Sequence, residues 1–183
     1  LDLWLKKNIP AQRINYFNAS YVKFDKAVVV ADTVATGTGK PDTSWYQDGI
    51  KEFQISTPDQ LAGLAQLVWN GNKFKGITIE LTRDLDLSAY SNWTSIGGEK
   101  GAKARAFAGT FEGGNHCIYN LKINNSGGIV QGLFGINNGT IQNLELKNAQ
   151  VFADTTAGLL AGSNYGEIIN CVINGNITGN ENI

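Results

Sequence analysis

The chain has no methionine, a single histidine, two cysteines and three prolines. With leucine first and no methionine anywhere, it is expected to be an excised part of a longer protein, or else a processed one. Charged residues make up 17% and the net charge is −1, so no basic stripe exists to neutralise phosphates and no acidic tail to gather cations. Nucleic acid is therefore not an expected partner. No apolar run reaches the roughly 18 residues that a membrane helix needs, and Leu1–Lys7 is too short and too charged for a signal peptide or a span. His116 alone cannot build a zinc site or a histidine-based triad without Cys117 or Cys171, and neither cysteine sits in a Cys-x-x-Cys type of spacing. No metal and no cofactor is called for.

What the chain has in quantity is glycine, 22 residues of it, and asparagine, both of which tolerate left-handed backbone angles at tight corners. These corners punctuate a repeat. Gly109-Thr-Phe111-Glu-Gly-Gly-Asn-His-Cys-Ile118-Tyr-Asn120 reappears as Gly132-Leu-Phe134 through Ile141-Gln-Asn143, and again as Leu159-Leu-Ala161 through Ile168-Ile-Asn170, at offsets of 23 and 27 residues. Self-similarity of that length, built from short β-branched runs, marks a solenoid whose coils stack on one another. Aligned apolar positions should form inward columns about 4.8 Å apart. Phe111, Phe134 and Ala161 are expected in one column, Ile118, Ile141 and Ile168 in a second, and Asn120, Asn143 and Asn170 at a shared corner. There the amides either bond along the stack or cap their own turns. On the same alignment Cys171 falls in an inward slot and Cys117 in an outward one, so two free thiols are expected, since a disulfide needs Cβ atoms within about 4.5 Å.

The spacing predicts one helix. Thr57 is a suitable N-cap, Pro58 fits the first turn, Gln60 completes a capping-box pattern, Leu61, Leu64, Ala65 and Val68 follow at helical spacing, and Gly71 supplies a stop. Placed before the first coil, this helix has a physical reason to exist, because it covers an end that would otherwise expose aliphatic side chains and unpaired strand edges. Strand signals follow at Ile77–Leu81, Leu85–Leu87, Trp93–Ile96 and Ala106–Phe111. Gly97–Arg105 reads as a flexible basic loop between strands. Residues 1–30 lie outside the repeat, as an N-terminal strand segment or the remnant of a preceding region; residues 31–183 form the capped repeat domain, after a Thr-, Gly-, Asp- and Pro-rich loop at 32–48. The fold class is accordingly all-β, a solenoid with an N-terminal capping α-helix.

Several blocks in order carry a family resemblance over roughly four fifths of the chain: Asp42-Thr-Ser-Trp-Tyr46, Phe53-Gln-Ile-Ser-Thr-Pro-Asp-Gln-Leu61, Ile79-Glu-Leu-Thr-Arg-Asp-Leu-Asp-Leu87, Trp93-Thr-Ser-Ile-Gly97, Phe107-Ala-Gly-Thr-Phe-Glu-Gly113, and Gly158-Leu-Leu-Ala-Gly-Ser-Asn-Tyr-Gly-Glu-Ile-Ile-Asn-Cys171. Together they resemble the bacterial extracellular β-solenoid modules that carry the GLUG motif. The resemblance implies a right-handed parallel β-helix in a secreted or surface-attached protein, as in adhesins and the non-catalytic parts of immunoglobulin A peptidases. This chain departs from longer members in having only two or three coils.

Few residues invite chemistry. Asp84 and Asp86 flank Leu85 and would face the same side of a strand about 7 Å apart. That suits an acid and base pair or a weak calcium site, but two turn caps fit better, and no ligand set recurs from coil to coil. Trp45, Tyr46 and Trp93 are candidates for stacking against a sugar ring, with core packing as the competing role. The expected function is a non-catalytic, extracellular surface module of adhesin type, presenting a lateral binding or spacing surface to a glycan or protein ligand. A β-helix polysaccharide lyase or glycosidase, or an accessory domain of a surface peptidase, is the alternative. Since the C-terminal segment shows no second cap, the last coil is expected to continue into, or pack on, further sequence.

Overall fold

The computed structural model describes residues 33–124 and 129–179. The division expected near residue 31 and the strands expected within residues 16–30 fall outside them. Among the described residues there are seventeen strands and one α-helix. In chain order they are β1 (Ala35–Thr36), β2 (Glu52–Ile55), α1 (Pro58–Trp69), β3 (Thr78–Leu81), β4 (Leu85–Asp86), β5 (Gly98–Lys100), β6 (Lys103–Arg105), β7 (Thr110–Glu112), β8 (Cys117–Tyr119), β9 (Lys122–Asn124), β10 (Val130–Gln131), β11 (Phe134–Asn137), β12 (Thr140–Gln142), β13 (Glu145–Phe152), β14 (Thr156–Ala157), β15 (Ala161–Asn164), β16 (Glu167–Ile169) and β17 (Val172–Thr178). The class is all-β with one short helix.

Pairing is parallel almost throughout. One sheet runs β1-β4-β8-β13-β17, with β9 also on β13; a second runs β16-β12-β7-β3-β2; β10–β14 and β11–β15 make two shorter parallel pairs. Apart from β1, which pairs β4 from farther away, and the local pair β5–β6, the strands pair with segments about one repeat away, which form successive rungs. Thr78, Thr110, Thr140 and Glu167 stand in one row, 32, 30 and 27 positions apart. Alternation does the rest: in each short strand every second residue, such as Ile79 and Leu81 in β3 or Phe111 in β7, enters the core and those between face out, because successive side chains in a strand point to opposite sides.

This register corrects the expected columns. Phe111 does not stand over Phe134; it pairs with Ile79 on one side and Ile141 on the other, and Ile141 pairs with Ile168. Phe134 pairs with Ala161 and meets Ile96 through an isolated bridge. Ile118 belongs to the other sheet, between Leu85 and Leu146. The 27-residue offset holds, whereas the 23-residue offset is wrong because Gly109-Thr-Phe-Glu-Gly113 lies over Gly139-Thr-Ile-Gln-Asn143. Phe111 and Phe134 still touch, edge to face with centroids 5.3 Å apart, across two sheets rather than along one.

Glycine is obligatory along the rung-to-rung contact. A Cβ on Gly139 would collide with the Gly109 carbonyl oxygen, and one on Gly166 with that of Gly139. At the corners asparagine takes over: Asn120, Asn143 and Asn170 have φ of 60°, 54° and 51°, as their short polar side chains allow. Their amides do not form one ladder. Asn170 Nδ2 donates to Asn143 Oδ1 at 3.3 Å, but Asn120 Nδ2 donates to Asp86 Oδ1 at 2.8 Å. A ladder that the alignment missed joins Asn137 to Asn164, Nδ2 to Oδ1 at 2.7 Å.

The helix starts as the sequence predicts. Thr57 Oγ1 accepts from Gln60 N, while the Gln60 side chain reaches back to Ser56 N. Asn70 is the C-cap, and Gly71 follows it with a φ of 108°. Leu61, Leu64, Ala65 and Val68 enter the same core as the sheet residues. Two expected strands are replaced. Trp93–Ile96 is irregular apart from its bridge, and of the Ala106–Phe111 run only Thr110 and Phe111 lie in a strand, with Phe107 in an isolated bridge. The basic segment after Gly97 is no flexible loop but an antiparallel hairpin, β5–β6.

Candidate functional site

The aromatic candidates sit in or against the core. Trp93 is buried, its Nε1 donating to the Leu133 carbonyl at 3.3 Å and its ring edge-on to Tyr90. Such a ring has no free face for a sugar. Trp45 is half-buried; its Nε1 donates to Gln60 O, and its ring lies against Phe53 and Phe74. From Phe74 the contacts pass to Phe107 and then Phe134, so Trp45 begins an aromatic file through the core. Tyr46 packs on Phe53 and Phe74, with its hydroxyl donating to Asp48 at 2.8 Å.

Asp84 and Asp86 do face the same side, and both are used to fasten neighbouring chain. Asp84 Oδ1 accepts from Cys117 N at 3.0 Å and lies 3.1 Å from His116 Nδ1. Asp86 Oδ1 accepts from Ser88 N and from the Asn120 amide. Burial pushes the Asp86 carboxyl up, but these hydrogen bonds outweigh it and hold the group below the usual carboxylate range. No group of three metal-ligating side chains occurs among the described residues. The cysteines are free. Cys117 is on the outer face, as expected, yet buried there, and burial pushes its thiol up to about 11. Cys171 packs against the core, as its inward slot requires, but is only half-buried there.

A second carboxylate pair escaped the sequence. Glu80 and Glu112 occupy paired positions on adjacent rungs β3 and β7, outward-facing, in a depression that Trp45 borders. Their sequence separation hid them. Gln54 Nε2 donates to Glu80 at 3.0 Å, and Glu112 receives Gln142 Nε2 at 2.7 Å, Asn143 Nδ2 at 3.0 Å and Gly114 N at 2.8 Å. Burial raises the Glu112 pKa, but these donors more than compensate and lower it.

On the other sheet lies a lateral groove of about 700 Å³ running across three rungs. It exists because the strands bend there. β8 and β9 are interrupted at Asn120, β13 shifts register between Leu146 and Ala149, and Asn120 and Asn148 take left-handed φ values of 60° and 55°. At the bend Leu121 and Ala149 send their side chains into the core. Opposite Ala149 stands Gly175, where a Cβ would collide with the Ala149 carbonyl oxygen. Two polar rows flank this base: Asn120, Asn148 and Asn174 in one, Lys122, Gln150 and Asn176 in the other. No carboxylate lines the groove, and Lys122 is its one charged residue. Tyr90 stands at one end, its hydroxyl donating to Asp59 Oδ1 at 2.6 Å. A smaller depression that Phe152 lines adjoins the groove, sharing Lys122, Gln150 and Asn176 with it.

The last rung differs from all others. Along the columns, Ile141 and Leu146 are fully buried, but Ile168 and Ile173, directly over them, are 42% and 37% exposed, and Val172 is 62% exposed.

No family model matches the chain, and no solved structure matches it. Over 173 residues, 90% of its length, the chain is 31% identical to halomucin of Haloquadratum walsbyi, of which it spans 2%. Over 153 residues it is 31% identical to a protein of Evansella cellulosilytica named as a Gly-rich membrane protein, of which it spans 17%. Among the described residues no helix is long and apolar enough to cross a membrane.

Proposed function

We propose that residues from about 31 onward form a right-handed parallel β-helix of GLUG type, a non-catalytic module of an extracellular or surface-attached protein of adhesin type. The carrying observation is how the polar outer face is used. Asp84, Asp86 and Glu112 accept hydrogen bonds from neighbouring rungs, an arrangement that holds rungs together. The parallel registers supply the repeated stacking that the fold needs. The names of the two relatives, a mucin-like designation and a membrane protein, agree with a surface setting. In this reading the exposed edge of β16 and β17 is where further rungs, or neighbouring sequence, stack.

One observation favours the enzymatic alternative: Glu80 and Glu112 on adjacent rungs beside Trp45 are two carboxylates on one lateral face, the minimum for glycoside cleavage. Incubation with a panel of polysaccharides, followed by assay of new reducing ends, separates the readings. No turnover is expected. Turnover abolished by Glu80→Gln or by Asp84→Asn would replace the surface module with a carbohydrate-active enzyme; an accessory domain of a surface peptidase would behave as the non-catalytic module does.

A further inference from the structure

Carboxamides elsewhere in the chain mostly tie one rung to the next: Asn137 to Asn164, Asn170 to Asn143, Gln142 and Asn143 to Glu112, Asn120 to Asp86. The bend on the first sheet is different. Asn148, Gln150, Asn174 and Asn176 are exposed there, in two adjacent rows, and none donates to or accepts from another described side chain in holding the fold. Each carries a two-hydrogen donor and a two-lone-pair acceptor. Rows of them repeat from rung to rung at the strand spacing of about 4.8 Å.

We propose that this bend is a binding site for a neutral glycan chain laid across the rungs. The proposal rests on the non-catalytic surface-module reading and names its ligand class. A hydroxyl both donates and accepts, so a polyhydroxylated chain pairs with a carboxamide row without charge on either side. Nucleic acid and highly sulfated polymers are disfavoured because Lys122 is the one cation in the lining. A peptide strand would require a free sheet edge, and this site lies on the face of β13, between its partners β8, β9 and β17. The groove is open to solvent and spans successive rungs, which suits a polymer and not a compact metabolite. Tyr90 and Phe152, one at each end, offer ring surface to the C–H face of a sugar. Tyr90 is held in place by its bond to Asp59.

The test is calorimetry with the full chain against short neutral oligosaccharides of the gluco-, manno- and xylo- series, with a uronate oligomer and a sulfated one as charged controls. A neutral oligomer is expected to bind, with salt having little effect, and the double variant Gln150→Ala/Asn176→Ala is expected to weaken it at least about tenfold. Both positions are exposed and extended, and an unchanged thermal unfolding curve shows that the variant is folded. Binding that persists in the variant overturns the site; binding confined to charged oligomers and lost with salt overturns the ligand class; no binding by the native chain overturns both. Bound oligomer that is then cleaved would sink the non-catalytic reading while leaving the groove assignment standing.

Discussion

The two ends of the stacked ladders are built from the same residue types and finished in opposite ways. At the N-terminal end Phe53, Ile55 and Ile79 are buried under α1 and the Trp45–Tyr46 corner, and the aromatic file starting at Trp45 binds that corner to the interior. At the C-terminal end Ile168, Ile173 and Ile177 stand over the buried Ile141, Leu146 and Val151 and are open. The difference teaches where stability is concentrated. A column residue contributes its full transfer free energy only when a neighbour lies on both sides of it.

Core truncation should show this most strongly. Leu64→Ala in α1 is expected to cost about 2–5 kcal/mol, because its side chain is fully enclosed and the cavity cannot collapse. Ile173→Ala should cost less than about 1 kcal/mol, since the side chain is already partly in water. Urea midpoints of the two variants check the contrast, and equal losses would mean that the C-terminal rung is covered in solution.

Backbone contact offers a smaller version. Gly139→Ala, between two rungs, should destabilise by about 1–3 kcal/mol, because the added methyl meets the Gly109 carbonyl and neither neighbour can retreat. Gly166→Ala presses on Gly139 from the outermost described rung, whose side chains are partly in water, and should cost less. Thermal unfolding of the pair measures this.

Acid is a milder probe of the inner rungs. Asp86 and Glu112 are each pushed up by burial and pulled down further by hydrogen bonds, ending below their ordinary values. A carboxylate with a depressed folded pKa contributes stability that is present above its unfolded pKa, near 4, and lost as pH falls through the folded value. Each contribution is under about 1 kcal/mol, given how much solvent reaches them. Urea midpoints should therefore fall below about pH 4, and Glu112→Gln should flatten that fall.

The smallest expected effect is chemical. Cys117, buried with its thiol pushed up to about 11, should resist iodoacetamide at neutral pH in the native state. Cys171 is also pushed up by burial but sits half-buried near the open end, and should be alkylated first. Mass spectrometry of digests reads the order, and Cys117 reacting first would contradict the buried placement.

Legibility followed the range of the interactions. The helix was readable because Thr57, Pro58 and Gln60 act within one turn of each other. The relation between the second and third coils was readable because both keep the same spacing, so Ile141 over Ile168 and Asn143 over Asn170 emerged directly. The first coil was misaligned. Phe111 and Phe134 share a Gly-x-Phe context, but the Gly-Thr start at Gly139 lies over Gly109, with a longer insertion between them than the matching letters suggest. Trp45 and Trp93 read from the sequence as either sugar-stacking or core residues; which role they take depends on Phe74 and Leu133, which are distant in the chain. The amide groove had no local signature at all, since each rung supplies only two or three of its side chains.

Alternation of apolar and polar residues, glycine and asparagine at the corners, and a capped helix before the repeat were determined by the chain alone, because each follows from backbone geometry over a few neighbouring residues. Which rung lies over which, which amides are left unpaired at the bend, and which end stands open were decided only in three dimensions. Parallel pairing joins segments some 27 to 32 residues apart, and the intervening turns vary in length, so register is settled by the fit of side chains and carbonyls between rungs.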